Sequence, residues 1–202
     1  MGDGRPDGLN ADPGFDALLR RIRQCTICAE VLPLGPRPVL QASPTARLLI
    51  VGQAPGRRVH ETGLPFNDPS GDRLRTWLGI DRATFYDERL VALVPMGFCY
   101  PGTTAAGDAP PRPECAPAWR GLLLPRLSQL RLTVAAGRFA HAYHLHARGP
   151  VAQTVRRWRE TGDVIPIPHP SPRNQGWLQR NPWFADELLP ELRDRVQEAL
   201  AD

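Results

Sequence analysis

Lysine is absent from the chain: all 25 basic side chains are arginine. An ε-amine is the side-chain group that condenses with a sugar aldehyde or another carbonyl to form a Schiff base. Chemistry through such an adduct is therefore excluded for every side chain, leaving only an amino terminus as a primary amine. Cysteine is scarce, with four in 202 residues, and aromatic residues make up 7%. Disulfides are not expected in a cytosolic chain, so the plain reading of these cysteines is four buried free thiols. No stretch approaches the roughly 20 apolar residues of a membrane span, and the opening MGDGRPDGLN has no charged-then-apolar leader. The expectation is a soluble, cytoplasmic monomer with no membrane partner. A net charge of +4 is compatible with an anionic partner such as nucleic acid without selecting one.

What is present is a regular alternation of apolar runs and amphipathic segments, with no internal repeat. Residues 1–13 are rich in Gly, Pro and Asp and read as a flexible N-terminal tail; residues 14–202 read as one domain, a length that suits a single sizeable core. FDALLRRIRQ reads as a helix ending near Cys25. RLLIVGQ (47–53), LVALV (90–94), LTVAAG (132–137) and VIPIP (164–168) read as buried strands. Helical patterns separate them at 72–80, at 117–130 with a break at Pro125, in RFAHAYHLHA, in VAQTVRRWRE and in FADELLPELRDRVQEAL. Continuous apolar strands divided by helices predict an α/β domain: a central four-stranded parallel sheet covered on both faces. Ligands of such sheets bind beyond the carboxyl ends of the strands. GQAPG after the first strand and HPSPRN after the last then meet in one cleft, although they lie more than 100 residues apart.

Within VIPIPHPSPRN, one histidine is held between prolines. Proline fixes its own φ near −65° and drives the preceding residue to extended geometry, so the backbone at His169 is stiffened on both sides. His141, His144 and His146 lie instead on one predicted helix and read as core or solvated. Cys25 and Cys28 form a C-x2-C pair, and Cys99 and Cys115 each sit in a loop beside proline. Four thiols in that arrangement suit a tetrathiolate metal site, with zinc and a [4Fe-4S] cluster both allowed by ligand count. The stretch MGFCYPGTTAAGDAPPRPEC reads as a long loop pinned at both ends by this site. Its Arg112, with Arg57 and Arg58, either lines a phosphate track or is simply solvated.

Taken together, GQAPG, GLPFNDPSGDRL, HPSPRN and the four cysteines resemble the uracil-DNA glycosylase superfamily over roughly residues 25–184. The cysteine spacing is similar to that of its iron-sulfur families 4 and 5, and HPSPRN is similar to the loop of the single-strand-selective branch. This resemblance implies a [4Fe-4S] cluster on Cys25, Cys28, Cys99 and Cys115. It also implies DNA carrying a damaged or deaminated base as the partner. By the same resemblance, Gln53 and Ala54 contact an extruded base, and Phe66 stacks on it. His169 donates to a base carbonyl, while Ser171, Arg173 and Asn174 engage DNA, with Trp177 nearby. Ala54 stands where the best-known family has a water-positioning aspartate. Asp68 is the expected replacement, with a helix N-cap as its other reading.

One departure concerns substrate. The second strand of the superfamily usually ends in an asparagine that reads the uracil edge, and here that position is Pro95, which offers no side-chain donor or acceptor. Either Asn67, in the PFND loop, supplies that contact, or the substrate is not uracil. The implied activity is monofunctional hydrolysis of the N-glycosidic bond of uracil or a related base, the step that starts base excision repair. Two other readings stay open: a DNA-binding module of the same fold without activity, and a zinc-stabilised hydrolase of a small phosphorylated substrate.

Overall fold

Four consecutive buried residues, Leu48–Val51, form the central strand β1. In the computed structural model, which describes residues 14–105 and 107–201, the elements follow in order. They are α1 (Phe15–Arg23), β1, α2 (Arg57–Thr62), α3 (Pro69–Leu78), α4 (Arg82–Tyr86) and β2 (Val91–Leu93), then β3 (Thr103–Thr104), β4 (Gly107–Asp108), α5 (Cys115–Leu123) and β5 (Leu132–Ala136). The chain ends with α6 (Arg138–Leu145), α7 (Val151–Arg156), β6 (Val164–Ile167), α8 (Gln175–Arg180) and α9 (Leu189–Leu200). The tail expected at 1–13 lies outside the described residues.

The sheet has the order β2-β1-β5-β6 with every neighbouring pair parallel. Leu48 is in register with Val91 on one side and Leu132 on the other, and Thr133 with Val164. Side chains alternate across the pleat. Leu48 and Ile50 face a core built with Leu74, Trp77 and Leu78 of α3 and Leu192 and Val196 of α9. Leu49 and Val51 face the opposite core, with Leu18 and Ile22 of α1 and Trp119 and Leu123 of α5. Each such side chain contributes roughly 1.5–3 kcal/mol by leaving water, which is why the strands read as unbroken apolar runs. Both edges are blunted. Gln41 exchanges backbone hydrogen bonds with Leu93 of β2, and the opposite edge strand, β6, carries Pro166 opposite Ala135, a position where a missing N–H is tolerated.

Three differences from the sequence expectation have local causes. The loop between Cys99 and Cys115 is not structureless, because Gly107, at φ 119°, lets it reverse as the β3/β4 hairpin. Helices α2, α4 and α8 have five or six residues each, too few to print a helical period on the sequence. The closing helix begins as a π-turn at Phe184–Leu188, where Pro190 supplies no N–H to the preceding turn. Pro125 falls, as expected, at a break: the α-helix stops at Leu123 and a 3-10 turn follows.

Helix α3 stands at the edge of the sheet's carboxyl end and is fixed there at both of its own ends. Asp68 caps it, accepting the Gly71 N–H at 2.9 Å, and Gly79 in the left-handed region ends it. Gly71 has no substitute there, since a Cβ would overlap the Phe66 carbonyl. Gly71→Ala is expected to lower the unfolding free energy by about 3 kcal/mol, measured by urea denaturation. An unchanged midpoint would mean that α3 does not rest on Phe66.

Candidate active site

The turn after β1 continues the sheet's pairing beyond its strands. Met96 N–H donates to the Gly52 carbonyl at 2.9 Å and Gly97 N–H to that of Gln53 at 3.0 Å. Above them opens a cleft of about 330 Å³, lined by Gly52–Gly56, by Phe66, Asp68 and Ser70 around the start of α3, by Pro95 after β2 and by His169, Ser171, Arg173 and Asn174 after β6. Loops at the carboxyl ends of β1, β2 and β6 thus meet, as the sheet order dictates.

Each lining residue is held by something local. Gln53 Nε2 donates to the carbonyls of Asp108 (3.3 Å) and Ala109 (2.9 Å), clamping the hairpin over the cleft. The Phe66 ring lies against the Gly52 backbone, where an added Cβ would sit 3.0 Å from Cζ. Phe66 itself is in the left-handed region at φ 53°, and its ring meets Phe85 edge-on, with centroids 6.1 Å apart. The structure brings Gln53, Ala54, Phe66, Asp68, His169, Ser171, Arg173 and Asn174 to this cleft. Asn67 is not among its lining residues. Its backbone N–H donates to the Leu64 carbonyl.

His169 is the most constrained group in the cleft. Its Nδ1 accepts the Ser171 N–H at 3.2 Å, and its carbonyl accepts from Asn174 Nδ2 at 2.6 Å. An Nδ1 that accepts carries no proton, so the neutral ring bears its hydrogen on Nε2. Burial lowers the imidazole pKa from 6.5, while the charges of Asp68 and Asp108 pull the other way without reversing it. The result is a neutral N–H donor on a proline-stiffened arm.

A superfamily match gives this cleft its context. The family model of the uracil DNA glycosylase superfamily matches residues 40–193. The chain belongs to the uracil DNA glycosylase superfamily. The match takes in the whole sheet and every residue of the cleft except Val39, and it leaves Cys25 and Cys28 outside.

Arg173 lies at the β6 side of the cleft. It packs across the cleft mouth against Gly107 of the hairpin, where a Cβ would overlap its guanidinium. Arg112 pairs with Glu114 at 2.6 Å. Trp177 lies in an adjoining hollow with Gly137 and Arg138, sharing Gln53, His169 and Asn174 with the cleft. His141 is wholly buried, its Nε2 3.0 Å from the carbonyls of Ala135 and Ile167. His144 meets Arg120 Nη2 at 2.8 Å and is pushed down to about 4 by burial and that neighbouring charge.

Sequence reasoning missed Arg120 and Asp108. Arg120 is wholly buried, donates Nη1 to the carbonyls of Val94 and Pro95 and packs over Tyr143; it holds the turn at Pro95 from beneath. Inside an amphipathic helix such an arginine carries no signal that separates it from a solvated one. Asp108 was hidden in a loop read as structureless.

The four cysteines line one small pocket with Phe98 and Trp119. Trp119 Nε1–H donates to Cys25 Sγ and Phe98 N–H to Cys115 Sγ, both at 3.3 Å. Burial pushes the Cys99 thiol up to about 11 and that of Cys115 up to about 12. Among the described residues no group of three or more His, Cys, Asp and Glu side chains is arranged to hold a single metal ion. An all-sulfur donor set around one pocket, with N–H groups aimed at two of the sulfurs, has the chemistry of thiolate ligation, which zinc and an iron-sulfur cluster share.

The geometry at His169 gives a direct expectation. Nitrogen NMR at neutral pH should report the Nε2–H tautomer, with a titration midpoint below 6.5. A midpoint above that value would remove the neutral donor from the site.

Proposed function

We propose that the protein hydrolyses the N-glycosidic bond of uracil or a related altered base in DNA, without cutting the strand. Superfamily membership supports a glycosylase-type hydrolase acting on DNA. The observation that carries the finer reading is the neutral Nε2–H of His169, fixed by the Ser171 N–H and held in the same cleft as the Phe66 ring.

The cleft residues divide the work between base, sugar and DNA backbone. An extruded base stacks on Phe66, beside Gln53 and Ala54. As the bond from C1′ to the base nitrogen breaks, its electron pair leaves with the base, and negative charge gathers on the carbonyl oxygens of the base. A donor already aimed at such an oxygen needs no reorganisation at that moment, and donors of this kind lower a barrier by roughly 3–4 kcal/mol. Water forms the new bond to C1′ and gives its proton to a carboxylate, after which the base anion takes a proton from solvent. Asp68 is the proposed carboxylate: one of its oxygens caps α3, and the other is left for the water. Ser171, Arg173 and Asn174 are proposed to meet the DNA. With no lysine, no side chain can form the Schiff base that leads to strand cleavage, and the proposed product is an intact strand with an abasic site.

We also propose that Cys25, Cys28, Cys99 and Cys115 hold a [4Fe-4S] cluster that pins the loop carrying the hairpin; the fit of the donor set is its support. The cluster's role would be structural, supplying cross-links between α1, the 99–115 loop and α5. One observation favours a second reading, a DNA-binding module without activity: Pro95 offers no group to a base edge, and Asn67 does not line the cleft.

Two measurements test these proposals. Single- and double-stranded oligonucleotides carrying uracil, hypoxanthine, xanthine or 5-hydroxymethyluracil, treated with alkali after incubation, should show release of at least one base. His169→Ala should slow that release by on the order of 100-fold or more. DNA binding without release from any substrate would favour the binding module. Protein purified without oxygen should contain iron and acid-labile sulfide in equal amounts, both lost in Cys99→Ser; zinc in place of iron would overturn the cluster.

A further inference from the structure

The turn after β1 lacks a carboxylate, with Ala54 between Gln53 and Pro55, yet the space beside that turn does not. Asp108, at the end of the hairpin between Cys99 and Cys115, lines the cleft. Its Oδ2 lies 3.5 Å from where a Cβ on Gly56 would stand, so the carboxylate abuts the 53–56 turn itself. The Gln53 clamp on the Asp108 and Ala109 carbonyls fixes the backbone that carries it. Among the described residues no hydrogen bond or ion pair engages this carboxylate. Asp68, by contrast, spends one oxygen on the cap of α3. The cleft therefore holds two carboxylates from different elements, both acting electrostatically on His169, and only one has a structural task.

We propose that Asp108 is a second catalytic carboxylate, which stabilises the positive charge that builds on the sugar as the base leaves. This role rests on the glycosylase reading and extends it. The 53–56 turn contributes shape and backbone groups, and the charge beside it comes in from the hairpin. Breaking the C1′–N bond leaves the sugar cation-like and the base anion-like. A fixed negative charge near the sugar and a neutral donor at the base separate these charges in the required sense. Asp108 takes no proton in this step, since the water's proton goes to Asp68. A negative charge at the mouth also repels phosphate, so it raises rate at some cost in DNA affinity.

Single-turnover base release and DNA affinity, measured together for wild type, Asp108→Asn and Asp108→Glu, test the proposal on the best substrate of the panel. Asp108→Asn removes charge while keeping shape. It is expected to slow release by roughly 10- to 100-fold, the lower end reflecting the exposure of this side chain. DNA is expected to bind Asp108→Asn as tightly as wild type or more tightly, whereas collapse of the hairpin would weaken it. Asp108→Glu is expected to keep a rate within a few-fold of wild type. An Asp108→Asn protein that releases base at the wild-type rate, or one whose loss of rate follows a matching loss of affinity, overturns the assignment. Thermal melting identifies an unfolded variant, for which Asp108→Ser takes the place of Asp108→Asn under the same criteria. Wild type that releases no base would overturn the glycosylase reading and this role with it, an outcome distinct from an active wild type matched by Asp108→Asn.

Discussion

Parallel pairing of β1 with β2 on one side and β5 on the other, and of β5 with β6, is the constraint on which the rest of the molecule depends. It places the carboxyl ends of all four strands along one edge, so the 52–56, 95–97 and 168–174 segments cannot avoid one another. It also makes the strands inaccessible on both faces, and the sequence answers with runs such as LLIV and VAL. Beyond the strands the pairing persists for two more residues, through the Met96 and Gly97 N–H groups. A cleft whose floor is an extension of the sheet ladder has little freedom to deform. That stiffness suits chemistry that depends on a donor being in place before charge develops.

Over this floor the cleft is closed by one loop, and that loop ties two sites together. Its ends are Cys99 and Cys115; its middle is the hairpin whose carbonyls Gln53 holds and whose Gly107 receives Arg173. The proposed cluster, by holding both ends of that segment, would lower the entropy of the part that roofs the cleft. In the proposed mechanism the electrostatics divide the same way. The neutral donor stands on the β6 side and the carboxylates at α3 and on the hairpin, so that charge separation along the breaking bond runs with the field of the site.

Much of this was legible in the residues, and what was not failed for identifiable reasons. The four strands, both core faces and the stiffness at His169 follow from apolar runs and from proline, which act locally. The meeting of GQAPG with HPSPRN follows from the sheet rule alone. The Nε2–H tautomer depends on a hydrogen bond from Ser171, two residues away, that no pattern announces. Arg120 looks like any surface arginine of an amphipathic helix until the helix is packed. Asp108 lay in a stretch of Gly, Thr and Ala with no periodicity, and its place beside Gly56 is set by contacts more than 50 residues apart in sequence. Asp68 had two readings in the sequence, cap and water-positioning group. The structure places it as the cap of α3 and also among the residues of the cleft.

The central claim is that a base leaves the DNA stack and enters the cleft formed by Phe66 and His169. A 2-aminopurine placed beside the target base reports that event through its fluorescence, because the neighbour it stacks on is withdrawn. With the slow His169→Ala variant bound to substrate DNA, the account predicts a rise in fluorescence that persists while the base remains uncleaved. DNA fully bound with no rise would contradict it, since the base would then never have reached the site.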